Sequence, residues 1–255
     1  MKKDTIALLM RNFRYHAFGT CTVCGKASFF FCRNPENARD LMWCLFCGSS
    51  SRKRHVAKLL LEYLGSPSRS VAGLAGKLDK SILNTDSSDQ FSKFLLPGSP
   101  TYFCSEFHDD IPPGTQLRER TFCQDIQRLT FEDRSFDVVI TEEVLEHIRD
   151  YRRAFSEIYR VLKPQGRHIF TVPFFFDRPT LVRVDTSGAE DIHLLPPEYH
   201  GDAVRGKILA YRTYGIDLFD ELRSLGFSTS LSFAGHRDQR FGIFDTAVLV
   251  STKTA

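Results

Sequence analysis

The 255-residue chain is 42% hydrophobic and 25% charged, with a formal net charge of +3. These are the proportions of an ordinary globular protein, long enough for one large α/β domain and a small appendage. No segment is long and apolar enough to span a bilayer, and the mild charge permits nucleic acid as a partner without demanding it.

The first residues, MKKDTIALLMRNF, carry two lysines and five apolar residues before Arg11. That is too short for the core of a signal peptide, so the chain reads as cytoplasmic, with no membrane partner. Its seven cysteines should then be reduced, and a cysteine cluster in such a setting is more often metal-binding than disulfide-bonded. Cys21 and Cys24 lie in CTVCGK, Cys44 and Cys47 in CLFCGSS, with nineteen residues between the pairs. This is the spacing of a zinc ribbon. Each CxxCG turn aims two thiolates at one point, and four thiolates leave no open position on Zn2+, so the metal would be structural. Cys32 could compete as a ligand but has no paired partner. Cys104 and Cys123 fall in strand-like runs and read as buried apolar residues.

Immediately after the second pair, SSSRKRHVAKLLLEYLG has Val56, Leu59, Leu60, Tyr63 and Leu64 at helical spacing. Its bases, Arg52, Lys53, Arg54 and Lys58, read either as a solvated helix face, the commoner case, or as contacts to phosphates. The Gly- and Ser-rich stretch 65–80 marks a boundary. The expected organisation is a ribbon module with its helix over 1–64, a linker over 65–80, and a second domain over 81–255.

From residue 81 onward, β-rich runs at 81–83, 101–104, 136–140 and 167–172 alternate with helical candidates at 88–96, 142–149, 150–162 and 216–225. That alternation predicts a doubly wound, mostly parallel sheet with helices on both faces. The helix YRRAFSEIYRVL carries Ala154, Ile158 and Val161 on one face and should stop at Pro164 and Gly166. FSTSLSF and IFDTAVLV would close the sheet with an antiparallel hairpin. In such sheets ligands bind beyond the carboxyl ends of the strands. The polar residues there are Asn84 to Ser88, Glu106, Asp125 after the short run RTFCQDI, and Thr141, Glu142 and Glu143. A carboxylate after the second strand can accept both hydroxyls of a ribose, and Asp125 can accept the exocyclic amine of adenine.

Residues 123–173, CQDIQRLTFEDRSFDVVITEEVLEHIRDYRRAFSEIYRVLKPQGRHIFTVP, resemble the central block of the class I S-adenosylmethionine-dependent methyltransferases of the type 11 group. The later HLLPPEYHGD and YRTYGIDLFDELRSLGF resemble a bacterial subgroup that often begins with a cysteine ribbon. The resemblance implies a Rossmann-like seven-stranded sheet with its last strand antiparallel. It also implies cofactor contacts at Glu106 (ribose), Asp125 and Ile126 (adenine), and the turn Asn84, Thr85, Asp86 and Ser88 (methionine end), with Thr141 beside them. The family places an acidic residue and then alternate glycines at that turn. Aligned on ILNTDSSDQ, Asn84 takes the acidic position, and Asp86, Ser88 and Gln90 take those of the glycines. Asn, Asp and Ser suit tight turns and helix caps, but their side chains project where the cofactor's amino-acid end would pass.

Two places could supply a base for a hydroxyl acceptor. Glu143 and His147, four apart, would share a face of the expected helix 142–149, where a capping or salt-bridging pair is the plainer reading. The long connection 174–213 carries His193, Glu198, Tyr199 and His200, and connections of that length often form lids or binding loops. His200 is the candidate base there and His193 a substrate contact. The leading function is methyl transfer to a small-molecule or carbohydrate-like acceptor. The alternatives are an RNA methyltransferase that grips phosphates with its ribbon and SRKRH, and a catalytically silent binding protein.

Overall fold

The computed structural model describes residues 13–202 and 206–254; the stretch 1–12, read above for a signal peptide, lies outside them. Two compact units form. The first holds the chain up to Asp79 together with Ser88–Thr101 and Leu231–Val248, and the second holds Lys80–Ser87, Tyr102–Ser230 and the chain from Leu249. Among the described residues, no helix is long and apolar enough to cross a membrane.

In the first unit, strands Ala17–Thr20, Ala27–Cys32 and Met42–Cys44 form an antiparallel sheet in which Phe30 faces both Ala17 and Cys44. Each cysteine pair is a turn leaving that sheet. Gly25 and Gly48 have φ of 78° and 70°, a backbone that glycine adopts without strain, and each donates to the carbonyl of the first cysteine of its pair (2.8 and 2.9 Å).

Helix Ser51–Leu64 follows, started by the Ser50 side chain accepting from Lys53 N–H and ended by Gly65 at φ 57°. Its buried surface is broader than the aliphatic stripe and takes in Lys53, Arg54 and His55. Neither reading of the basic run therefore holds for Lys53 and Arg54. Lys53 Nζ meets Asp89 at 2.6 Å. Arg54, fully buried, lies 4.3 Å over the Phe30 ring and donates to the carbonyls of Ser49, Met42, Phe241 and Gly242. Burial lowers its pKa to about 10, while Cys21, Cys44, Cys47 and Cys24 pull the other way, so it is a cation at neutral pH. A guanidinium is tolerated inside because its fork of donors is matched by carbonyls.

An eight-stranded sheet has the order 227–238, 243–253, 162–171, 136–142, 82–84, 102–106, 121–123, 116–118, and the second unit holds all of it except residues 231–238 and 243–248. The five strands from Leu162–Thr171 to Thr121–Cys123 run parallel, and Ile243–Lys253 pairs antiparallel with Leu162–Thr171. The sheet has eight strands where seven were expected. The extra one, Gln116–Arg118, is three residues long and largely exposed, so no apolar run announces it. Helix Tyr151–Val161 is capped by Asp150, which accepts from Arg153 N–H at 3.0 Å, and buries Ala154, Phe155, Ile158 and Val161. It passes directly into strand Leu162–Thr171, which contains the expected breakers Pro164 and Gly166. A Cβ on Gly166 would sit 2.8 Å from the Lys163 carbonyl, so glycine is needed there for close backbone approach.

Two expectations change. The helix over 142–149 is absent: Glu142 ends a strand, Glu143 has φ 55°, and only Leu145–His147 makes a single 3-10 turn. The connection 174–213 is not without structure. It holds paired strands 181–182 with 212–213, 184–185 with 192–193, and Tyr199–Asp202 with Gly206–Leu209. Ladders of two to four residues are too short to show a period in sequence.

Arg54→Ala should lower stability by about 3 kcal/mol or more, because several buried carbonyls lose their donor. Arg52→Ala, whose guanidinium reaches half-buried Asp40 at 2.9 Å, should cost about 1 kcal/mol or less. Urea unfolding of the two variants checks the difference.

Candidate active site and cysteine centre

At the carboxyl edge of the parallel strands lies a cavity of about 230 Å³, whose walls include Thr85, Glu106, Asp125, Ile126, His147 and Tyr211. Three of the residues assigned to ribose and adenine, Glu106, Asp125 and Ile126, are thus brought together, with Thr85 from the turn. Strand pairing puts Glu106 opposite Cys123, and Gln124 N–H donates to the Glu106 carbonyl at 2.8 Å, so the loop carrying Asp125 leaves beside Glu106. Asp125 Oδ1 accepts from the backbone and side-chain amides of Gln127 (2.9 and 3.1 Å), which fixes the carboxylate in a tight turn.

Glu106 is held more firmly than the sequence suggests. Its Oε1 accepts from Ser87 Oγ and from the Arg118 guanidinium, and its Oε2 lies 3.2 Å from His108 Nε2. Burial raises the carboxyl's pKa, but the hydrogen bonds from Ser87, Arg118 and His108 outweigh it and hold the group below the usual carboxylate range. Ser87, Arg118 and His108 were not singled out by sequence reasoning. Arg118 lies on the unannounced edge strand, whereas Ser87 was open to reading as part of the turn.

That turn is feasible without glycine for a simple reason: none of Asn84 to Gln90 has a positive φ. Asn84 is buried and turned inward, its amide donating to the Asp86 carbonyl (3.0 Å) and to Tyr102 Oη (2.8 Å), so it braces the turn and does not line the cavity. Asp86 and Ser88 are exposed, and neither is a wall residue. Asp89 caps helix Gln90–Leu95 by accepting from Ser92 N–H at 2.7 Å. Thr141 is fully buried against His168 Nε2 (2.9 Å) and is also outside the cavity.

Of the candidate bases, Glu143 is half-buried in a left-handed turn and is not a wall residue, and His193 is exposed on a two-residue strand. With no helix over 142–149, Glu143 and His147 share no helical face. His147 lines the cavity instead, and its Nε2 lies 3.2 Å from Nδ1 of His200 on the hairpin Tyr199–Leu209. His200 Nε2 meets Glu198 Oε1 at 3.2 Å, and the fully buried Glu146 sits behind both rings. Sequence spacing could not pair residues 147 and 200, because only the hairpin joins them.

Cys21, Cys24, Cys44 and Cys47 converge, their sulfurs all within 4.8 Å of one another. Cys21 to Cys47 and Cys24 to Cys44 are each 3.8 Å. A tetrahedron of thiolates about Zn2+ at ~2.3 Å has an edge of ~3.8 Å, so the donor set and its size are compatible with zinc. The sulfurs are strongly interdependent. Bonding from Cys21 and Cys47 pulls the Cys44 thiol down, the same kind of bonding pushes Cys47 up, and burial raises Cys24 to about 11. Cys32 is buried outside the group. Cys104 and Cys123 are buried in strands, as expected.

Residues 105–170 match the methyltransferase domain family. An uncharacterized protein of Methanocaldococcus jannaschii is 44% identical over 57 residues, 22% of this chain and 25% of that protein. Phosphoethanolamine N-methyltransferase 2 of Caenorhabditis elegans is 45% identical over 42 residues, 16% of this chain and 10% of that protein. The similarity to these curated relatives thus spans a quarter of their length or less. Among solved structures, a Pyrococcus horikoshii protein is similar with a TM-score of 0.47 and 16% identity, over 80% of this chain and 90% of that one. The 1,6-didemethyltoxoflavin-N1-methyltransferase of Burkholderia thailandensis, solved with 1,6-didemethyltoxoflavin and S-adenosylhomocysteine, is similar with a TM-score of 0.43 and 17% identity, over 79% and 78% of the two chains. The segment from Ser105 to Phe170 carries a methyltransferase domain signature, and it includes Glu106, Asp125, Ile126 and His147 of the cavity wall.

Because Glu106 titrates below its unfolded value, its contribution to stability is present above the ordinary carboxylate range and is lost as pH falls through the depressed value. Arg118→Ala should raise the pH at which Glu106 titrates, so the stability that Glu106 loses on acidification should be smaller and its loss complete at a higher pH. A carboxyl-detected NMR titration of both proteins measures it.

Proposed function

We propose that the chain is an S-adenosylmethionine-dependent methyltransferase acting on a small or carbohydrate-like acceptor, with a structural zinc in the four-cysteine centre. The observation that carries this reading is the meeting of Glu106, Asp125 and Ile126 in one cavity at the carboxyl edge of a parallel sheet, inside the segment that matches the methyltransferase domain. Glu106 would accept the ribose hydroxyls, Asp125 the adenine amine, and Ile126 would pack on the base. The sulfonium cofactor supplies an electrophilic methyl group. The chain's task is then to align the acceptor for in-line displacement and to handle its proton. Thr85 stands in the cavity wall at the turn, and His147, 3.2 Å from His200, lines the same cavity.

The basic run offers less to RNA than its sequence suggests, since Lys53 and Arg54 spend their charges inside the protein. A small acceptor therefore remains the better reading. In the cysteine centre, Zn2+ would be held by Cys21, Cys24, Cys44 and Cys47, with the buried Arg54 cation easing the charge of four thiolates.

Isothermal titration with S-adenosylhomocysteine should show one site per chain, and Glu106→Gln should weaken binding by about ten- to a hundredfold, the worth of charge-assisted hydrogen bonds at ~1.5–3 kcal/mol. Absence of binding by the unmodified protein would refute the enzymatic reading. Elemental analysis should find one equivalent of zinc fewer in Cys44→Ser than in the unmodified protein. Because metal binding and folding of such a centre are linked, chelation should lower the thermal midpoint.

A further inference from the structure

Glu146, His147 and His200 form a second cluster, beside the cavity and distinct from the cysteines, with their ligand atoms all within 4.8 Å. Its geometry is specific. His147 Nε2 and His200 Nδ1 are 3.2 Å apart, and Glu146 Oε1 lies 3.6 Å from the first and 3.8 Å from the second. Ligands bound at ~2.0–2.1 Å around a tetrahedral cation are ~3.3 Å apart, so modest closure of this triangle would satisfy one metal.

The outer nitrogens decide what the inner ones can be. His147 Nδ1 faces the Leu209 carbonyl at 2.8 Å, and a carbonyl only accepts, so this nitrogen carries the hydrogen. His200 Nε2 faces the Glu198 carboxylate at 3.2 Å and likewise donates. In the neutral rings, both remaining lone pairs therefore point into the same small space as the Glu146 carboxylate. Outer hydrogen bonds from ring N–H to a carbonyl and to a carboxylate are also the supports that orient metal-binding histidines.

We propose that Glu146, His147 and His200 bind a divalent first-row transition cation. Two imidazoles and one carboxylate leave at least one coordination position for another oxygen. His147 is both a ligand and a cavity wall, so that position would face the acceptor end of the cavity. The role of this cation rests on the methyltransferase reading. Held by Glu146, His147 and His200, the cation would lower the pKa of an acceptor hydroxyl so that its proton could pass to water, and the sulfonium cofactor would supply the methyl group and leave as a neutral thioether.

The test is cobalt titration of the 255-residue protein loaded with a single equivalent of zinc to fill the cysteine centre, followed by visible absorption. Cobalt at this site should give the weak bands of nitrogen and oxygen ligands without the strong sulfur-to-metal charge transfer of a cysteine site, at one equivalent per chain. His200→Ala should weaken that binding at least about tenfold. Glu198→Gln, which reaches the site only through His200, should weaken it about ten- to a hundredfold. His200 is only half-buried, so these variants should fold, and circular dichroism verifies it. No cobalt signal in the unmodified protein, a signal dominated by sulfur charge transfer alone, or unchanged binding in both variants would overturn the proposal, a proton then being the cation shared by the rings. Failure of the methyltransferase reading would show instead as no binding of S-adenosylhomocysteine, with the cobalt result unaffected.

Discussion

The register of four parallel strands governs the candidate site. Asn84 is level with Cys104 on one side and Ile140 on the other, and Ile140 is level with Ile169. The ladders end at Asn84, Glu106, Cys123 and Glu142, all within two residues of that line. Whatever follows, namely Thr85, Glu106, the Asp125 turn and the Leu145–His147 turn, must therefore gather at one edge. The sheet can enforce this because its strands are buried on both faces, Ile82, Leu83, Val138, Val139, Ile140 and Ile169 among them, and a slip of one residue would exchange the side chains packed on the two faces.

Charge inside this protein is met by structure and not by water. Arg54 is satisfied by carbonyls and lies within electrostatic reach of four thiol groups, so its cation and the cysteine centre stabilise each other. Glu106 is held by a hydroxyl, a guanidinium and an imidazole. Desolvating a charge costs several kcal/mol unless such partners are in place beforehand. These groups are consequently pre-organised, the state in which a binding or catalytic group works at least expense in reordering.

The glycine-free turn illustrates how one chemical requirement can be met in two ways. Glycine would give backbone freedom, but the path from Asn84 to Gln90 uses only φ values open to any residue. In place of freedom the turn has bracing: Asn84 ties to Tyr102 and to the Asp86 carbonyl, and Ser87 reaches Glu106. The side chains that seemed to obstruct a ligand are buried beneath the turn or exposed away from the cavity wall.

Much of this was legible in the sequence. The CxxCG spacing, the alternation of β-rich and helical runs, the amphipathic face of Ala154 and Ile158, and the order of Glu106 and Asp125 at strand ends are local patterns, and local stereochemistry enforces them. The helix expected over 142–149 was misjudged because Glu142 is claimed by the sheet ladder and Glu143 takes a left-handed backbone, both tertiary effects. The bases of helix Ser51–Leu64 were misjudged because charge predicts exposure only until a partner is built around it, and the carbonyls that receive Arg54 come partly from residues 241 and 242. Sequence by itself determined the central strands, the helix Tyr151–Val161 and the carboxylates Glu106 and Asp125 at strand ends, since these follow from periodicity and chain direction. Only the tertiary structure decided that Arg118 grips Glu106 and that His200 meets His147 and Glu146, because those pairs lie 12 and 53 residues apart and come together through edge strands too short to leave a period in the sequence.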